Sequence, residues 1–242
     1  MTAHPYLHQG LTILHAQLRP GENRPGTQHS IVSSPFITLS RETCAGASTL
    51  GRHLLPLLDK ELHDEYRSWM FLDKDLINQA LTLNHLPEQL ATFLPEDRIQ
   101  EIKGLIGEMV GLHPPLWELE QRVAEAILKF AQLGLVILAG RAANLITRDL
   151  PGGFHIRLVA SLETRIERAR AMNHCDRTQA ENFIRESDRA RERHVRTNFH
   201  EDLNDPHTYD LVINTDRIPP AAAALLVVKA LQDRTAAPMI TG

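Results

Sequence analysis

Four stretches of this chain hold residues whose types and spacing could do chemistry. The first is Ser40-Arg41-Glu42-Thr43-Cys44-Ala45-Gly46-Ala47-Ser48-Thr49, directly after the apolar run Phe36-Ile37-Thr38-Leu39. A small-residue loop between a strand and a helix can wrap a phosphate, because backbone N–H groups and the helix start point at one place. Ser48 or Thr49 sits where a hydroxyl could reach a magnesium ion. Against the pattern Gly, four residues, Gly-Lys-Ser/Thr, Gly46 and Ser48 fit, Ala47 stands in the Lys place and Arg41 in the place of the first Gly. A plain strand-to-helix turn is the competing reading. Cys44 lies inside this loop near a helix start, an environment expected to lower a thiol pKa; the plainer alternative is a small buried side chain.

The second stretch is Ala139-Gly140-Arg141-Ala142-Ala143-Asn144, after the β-like run Leu135-Val136-Ile137-Leu138. Ligands in open α/β sheets bind at the C-terminal ends of strands, and an Arg there can fork onto a phosphate. The alternative for Arg141 is an ion pair, although the local sequence offers no carboxylate before Asp149. The third is arginine density. The chain has five Lys and none between Lys129 and Lys229, whereas Arg165, Arg168, Arg170, Arg177, Arg185, Arg189, Arg191, Arg193 and Arg196 crowd one region. At about 100° per residue, Arg185, Arg189, Arg193 and Arg196 share a helix face. Such a stripe suits a lid over phosphates; a solvated helix laced with i,i+4 pairs explains much of it equally. The fourth is Asp73, after Trp69-Met70-Phe71-Leu72, where a carboxylate could take a ribose hydroxyl or an exocyclic amine, or simply cap a helix.

The elements that must position these groups follow from periodicity. Strands are expected at 36–40, 69–72, 135–138, 154–160 and 210–214. Helices are expected over 46–62, 73–83, 96–111, 116–133, 141–148, 161–173, 177–197 and 219–232. Short apolar runs alternating with amphipathic segments predict an α/β protein with a parallel sheet covered on both faces. Residues 1–34 differ: Leu7, Leu11, Leu14 and Leu18 have helical spacing, and Arg19 to Gly26 is turn-rich, so an extension and linker precede the main body. That extension could dock on the body or on a second copy, giving a homodimer, or fray.

Composition narrows the classes. The 242 residues are 43% hydrophobic and 23% charged, an ordinary globular balance. A net charge of −4 gives no case for broad binding to nucleic acid or anionic membranes. Two cysteines are too few for a disulfide scaffold or zinc cluster. A signal peptide or membrane span is not evident, so a cytoplasmic location is expected.

Taken in order, Ser-Arg-Glu after the first strand, the Gly-poor loop, Gly-Arg-Ala-Ala-Asn after the third, His155-Ile156-Arg157-Leu158-Val159-Ala160, Asp188-Arg189-Ala190-Arg191 and Tyr209 to Thr215 resemble the cytidylate kinase-like family. That family is a branch of the P-loop nucleoside monophosphate kinases. The resemblance covers about residues 35–232. It implies a three-layer α/β/α P-loop kinase domain over 35–234, with a five-stranded parallel sheet of order 2-3-1-4-5, an Arg-rich helical lid at about 174–200 and a tail from 235. It implies ATP and magnesium as donor and a nucleoside monophosphate of the CMP or dCMP type as acceptor.

Carried over by position, Arg41 and residues Thr43, Cys44, Ala45, Gly46, Ala47, Ser48 and Thr49 would form the ATP-binding loop. The N–H groups of 45–49 would lie on the β-phosphate and Ser48 on the metal. Asp73 and Arg141 would bind the acceptor. Arg141, Arg185, Asp188, Arg189 and Arg191 would act on the transferring group. Ala47, Ala139 and Ala142 replace a Lys and two Asp of cytidylate kinases. Two alternatives therefore stand beside a kinase: a nucleotide-binding protein with weak or no transfer, and a small-metabolite kinase on the same fold.

Overall fold

The computed structural model describes residues 34–62, 68–73, 116–140 and 142–236. The N-terminal extension, the helices expected over 73–83 and 96–111, Arg141 and the last residues of the tail lie outside them.

Five strands form one parallel sheet in the order β2-β3-β1-β4-β5. They are β1 (Phe36–Arg41), β2 (Met70–Leu72), β3 (Val136–Ala139), β4 (Gly153–Val159) and β5 (Leu211–Asn214). The helices are α1 (Ala47–Glu61), α2 (Leu116–Leu133), α3 (Ala143–Ile146), α4 (Leu162–Asn173), α5 (Arg177–Phe199) and α6 (Pro220–Ala236). Among the described residues the predicted order and types hold, with boundaries moved by a few residues. The largest differences are at the ends of helices. The four-residue α3 starts only after Ala142, which takes a left-handed backbone at φ 53, and α6 runs four residues past the expected end.

Side chains alternate across a strand, so a strand buried on both faces feeds two cores. Ile37, Leu39 and Ile137 enter one core with Leu50, Leu54 and Leu58 of α1 and Ala224, Val227 and Leu231 of α6. Phe36, Val136 and Leu138 enter the other with Val123, Ile127 and Phe130 of α2. A third, small cluster lies between α4 and α5, where Ile166, Ala169, Ala180 and Ile184 pack with Cys44 and Cys175. It seats the α4–α5 pair against the loop after β1. In register, Leu39 lies beside Ala139 and Ile156, so the ends of β1, β3 and β4 open on one edge, where ligands of such sheets bind.

Candidate functional site

The loop after β1 is anchored by groups from β4, α4, α5 and the end of β5. The Glu42 N–H donates to the Leu158 carbonyl at 3.0 Å, and its Oε2 accepts from the Ala160 N–H at 2.8 Å. Arg165, only 8% exposed, lies with Nε 3.6 Å from that same oxygen and sends Nη1 to Asp188 Oδ2 at 2.5 Å. Asp188 Oδ1 accepts from the Thr43 N–H at 2.8 Å and from its hydroxyl at 2.6 Å. Arg191 Nη1 donates to the same carboxylate oxygen at 3.1 Å and also contacts Thr43 Oγ1. Burial alone would raise the Asp188 carboxyl, but the two Thr43 donors and Arg165 outweigh it and hold it below its ordinary value.

The far side of the loop is held by Arg168 and Thr215. Thr215 Oγ1 donates to the Ala45 carbonyl at 3.0 Å. Arg168 donates to Thr215 Oγ1 at 2.9 Å, to the Thr215 carbonyl at 3.0 Å and to the Cys44 carbonyl at 3.4 Å. In a trans peptide the N–H points opposite to the C=O, so the Gly46 N–H faces away from Thr215, toward the open side. Gly46 is the N-cap of α1 at φ 95 and provides no side-chain cap. The N–H groups of Ala47, Ser48 and Thr49 follow in the first turn, where an α-helix has no internal partners for them. Ser48 is exposed on that turn, and Thr49 Oγ1 accepts from Arg52 at 3.5 Å. The Ala45 N–H, expected among the donors to phosphate, is engaged by the Glu42 carbonyl at 3.1 Å.

Beside the loop, a pocket opens at the ends of β1 and β3, lined by Ser40, Arg41, Gly140, Asn144 and, from α5, Arg191 and His194. Gly140, at φ 87, is required here: a Cβ on it would lie 1.9 Å from Arg41 Nη1. Arg41 therefore lies against the end of β3. Beneath the pocket, Arg157 is buried in β4. It donates to Ser40 Oγ at 3.1 Å and to Asn204 Oδ1 at 2.7 Å, with its guanidinium 5.7 Å from the Tyr209 ring centroid.

The four-Arg stripe of α5 lies on the solvent side. Arg185 is exposed and pairs with Glu181 at 2.7 Å, and Arg189 is exposed. Asp188 and Arg191 reach the loop instead, because Ala180, Ile184, Ala190 and Val195 are the buried residues that set the facing side. Asp73 follows β2 on the same sheet edge, outside the residues that line the pocket. Arg157, Arg165, Arg168, Glu42 and Thr215 were not singled out from sequence as site residues. The signals the sequence offers for them are an Arg inside the apolar strand run at 154–160, the arginine density that includes Arg165 and Arg168, and the motifs that contain Glu42 and Thr215.

Of the two readings of Cys44, the plainer one, a small side chain packed inward, fits the structure, and the lowered thiol pKa does not. Burial pushes its thiol above the ordinary value, more than the nearby Arg191 and Arg165 pull it down. Its backbone is left-handed at φ 61, and it packs on the α4–α5 cluster. Alkylation of Cys44 by iodoacetamide at neutral pH is expected to run several-fold slower than that of a small free thiol, since thiolate is the reactive form. Mass spectrometry of labelled peptides measures it; labelling faster than the free thiol contradicts the burial argument.

A family model described as the cytidylate kinase-like family matches residues 36–217. The chain belongs to that family. A search of curated proteins finds no significant match. Among solved structures, an uncharacterized protein from Eubacterium ventriosum superposes with a TM-score of 0.59 at 18% identity, over 83% of this chain and 99% of that one. Shikimate kinase from Bacteroides thetaiotaomicron gives 0.46 at 15% identity, over 83% of this chain and 98% of that one. The Mycobacterium tuberculosis APS kinase, in complex with AMPPNP and APS, gives 0.47 at 14% identity, with the same coverage. The cytidylate kinase-like domain has the five-stranded parallel sheet of order 2-3-1-4-5 that the resemblance implies. Among the described residues, no helix is long and apolar enough to cross a membrane, and no group of three or more His, Cys, Asp and Glu could hold a metal.

Proposed function

We propose that this protein is an ATP-dependent phosphotransferase that moves the γ-phosphoryl group to a nucleoside monophosphate of the CMP or dCMP type. One observation carries the reading: an uncapped helix start with N–H groups on its open side adjoins a pocket lined by Arg41 and Arg191. Phosphoryl transfer needs little covalent chemistry from a protein; it needs two phosphates held in line and their charge neutralised.

The donor set of the loop fits a nucleotide's phosphates. Gly46, Ala47, Ser48 and Thr49 supply N–H groups, and the Ser48 hydroxyl would hold a magnesium ion that arrives with ATP. That ion would neutralise charge on the phosphates. With Ala47 in place of Lys, no cation stands in the Lys position, and Arg168 holds the loop from its far side, on the Cys44 and Thr215 carbonyls. Arg191, tied to Thr43 and Asp188, brings a positive charge from α5. Following the resemblance, Arg141 holds the acceptor phosphate, Asp73 lies on the acceptor side, and Arg185 and Arg189 belong to the lid. The absent Lys favours one second reading, nucleotide binding with weak transfer.

A coupled assay with ATP, magnesium and a panel of nucleoside monophosphates and small metabolites separates these readings. CMP or dCMP turnover is the expected result. ATP-dependent thermal stabilisation without turnover of any acceptor would leave the second reading. Arg141→Lys keeps the charge but loses the planar fork. It should weaken acceptor use by ~1.5–3 kcal/mol, the range for hydrogen bonds to charged groups, with ATP binding unchanged. Equal loss of ATP and acceptor would remove Arg141 from the acceptor side.

A further inference from the structure

Between Arg217 and Lys229 the chain has no charged residue; Ile218 to Val228, which include the first turns of α6, are all apolar. Ala223, Ala224, Val227 and Val228 face the core. The opposite side of a surface helix is ordinarily polar. The solvent sides of α1 and α4 follow that rule, with Arg52, His53 and Lys60 on one and Glu163, Glu167 and Arg170 on the other. On α6 the solvent side instead presents Ala222, Leu225 and Leu226, the two leucines 59% and 51% exposed. At about 100° per residue these three share one face with Lys229. Single exposed apolar side chains are ordinary, but a helix stretch apolar all round is one that something covers.

The size of the face and the place where the described chain begins decide between occupants. From Pro219 to Lys229 the strip is about 15 Å long and about 10 Å wide. That is ~150 Å2, against the ~800 Å2 per partner that a stable interface between separate chains buries. A segment of the same chain needs no such area, because a short tether gives it an effective concentration in the millimolar range. Residues 1–33 lie outside the described residues, and their sequence holds a stripe of matching length. Leu7, Leu11, Leu14 and Leu18 have helical spacing and would span about 16 Å.

The tether also reaches. Ser34 lies against Gly134, at the edge of the sheet where the strands begin. α6 packs along α1 and ends at that same edge, where Arg234 pairs at 2.8 Å with Asp210, just before β5. From there back to Leu226 is about 15 Å. Residues 19–33 cover roughly 20 Å as a random chain and about 50 Å when extended.

We propose that residues 7–18 dock as a helix on the solvent face of α6 in the same chain, with the leucine stripe seated on Leu225 and Leu226. No α6 residue is among those that line the pocket, so this docking stands apart from the phosphotransfer reading.

The test is hydrogen exchange of the full chain, read by mass spectrometry at low and high micromolar concentration, with light scattering on the same samples. Amides of residues 7–18 should exchange at least about tenfold slower than in a free peptide of the same sequence, equally at both concentrations. Leu225→Gln with Leu226→Gln, which keeps good helix formers at exposed positions, should return those amides to the peptide's rate while β1 and β4 stay protected. Leu11→Asp with Leu14→Asp, which leaves the body's sequence intact, should uncover the α6 face and raise the fluorescence of an apolar dye at least about twofold. Should the α6 pair unfold the body, the dye result decides. Peptide-rate exchange in wild type overturns the proposal, as does protection that survives the α6 pair. Protection confined to the higher concentration, or a dimer that the α6 pair dissociates, gives the face to a second copy and overturns it too. Unchanged dye fluorescence in the N-terminal pair does the same.

Discussion

Asp188→Ala is expected to lower the unfolding free energy by about 3 kcal/mol, the low end for breaking a buried ion pair. The side chain is 22% exposed, and its main partner Arg165 is 10% exposed, so water compensates only part of the loss. The substitution leaves Arg165 and Arg191 without their shared carboxylate and strips the Thr43 N–H and hydroxyl of their acceptor. For a body of this size the melting temperature should fall by about 6–12 °C. Asp188→Asn, which keeps an acceptor for Thr43 but not the charge, should fall less. An unchanged melting temperature for Asp188→Ala would show that the α5–loop contact contributes nothing to the fold.

The same carboxylate predicts an acid dependence. Its folded pKa lies below the ordinary value of 3.8. A group depressed in this way contributes stability that is complete above its unfolded pKa and is lost as pH falls through the folded one. The stability gap between wild type and Asp188→Ala should therefore be constant from neutral pH down to about pH 5 and close below about pH 4. Urea unfolding at a series of pH values measures it. A gap that closes between pH 6 and 7 would assign the coupling to another group.

Gly140→Ala should damage acceptor use far more than folding. The added Cβ would stand 1.9 Å from Arg41 Nη1 and 3.0 Å from its Cζ, so the guanidinium must leave its place at the end of β3. That atom is the end of a flexible side chain, and the chain can fold around it. The backbone at φ 87 adds strain of about 1 kcal/mol for a residue with a side chain. Displacing one charge-assisted donor should cost about 10–100-fold in kcat/KM for the acceptor, with ATP affinity close to wild type, since Arg41 lies against Gly140 at the end of β3; an equal loss of ATP affinity would return Arg41 to the ATP-binding side that the resemblance gives it. Arg41→Ala should match it in kinetics without the strain, so the two variants differ in melting temperature alone. If Gly140→Ala binds acceptor normally while Arg41→Ala does not, Arg41 acts from another position.

Much of this was legible in the sequence, and the part that was not has a common cause. Apolar runs such as Val136-Ile137-Leu138 and the spacing of Leu50, Leu54 and Leu58 mark strands and helices because burial follows their periodicity. The order of motifs added the sheet topology through family resemblance. Pairings across the chain leave no local signal. Thr43 and Asp188 are 145 residues apart, and nothing near either one announces the other. The arginine spacing on α5 identified a stripe, but Ile184 and Val195 decide which face turns inward, and those apolar residues place Asp188 and Arg191 on the loop. Arg165 reads as one of many basic residues on a helix, yet its neighbour Ile166 is 1% exposed, which turns this part of α4 inward.

The strand order has a consequence for the chain as it is made. β1 is central in the sheet, but its partners come much later: Thr38 sits 117 residues before its neighbour His155. At about 5–20 residues per second of synthesis, the apolar segment Phe36 to Leu39 waits roughly 5–20 s before even its first partner, β3, is made. During that interval it is an unpaired, Ile- and Phe-containing edge of the sort that invites wrong pairing between nascent chains. Production of this protein should thus depend on holding chaperones and improve when translation is fast or growth temperature is low, whatever the final stability of the folded domain.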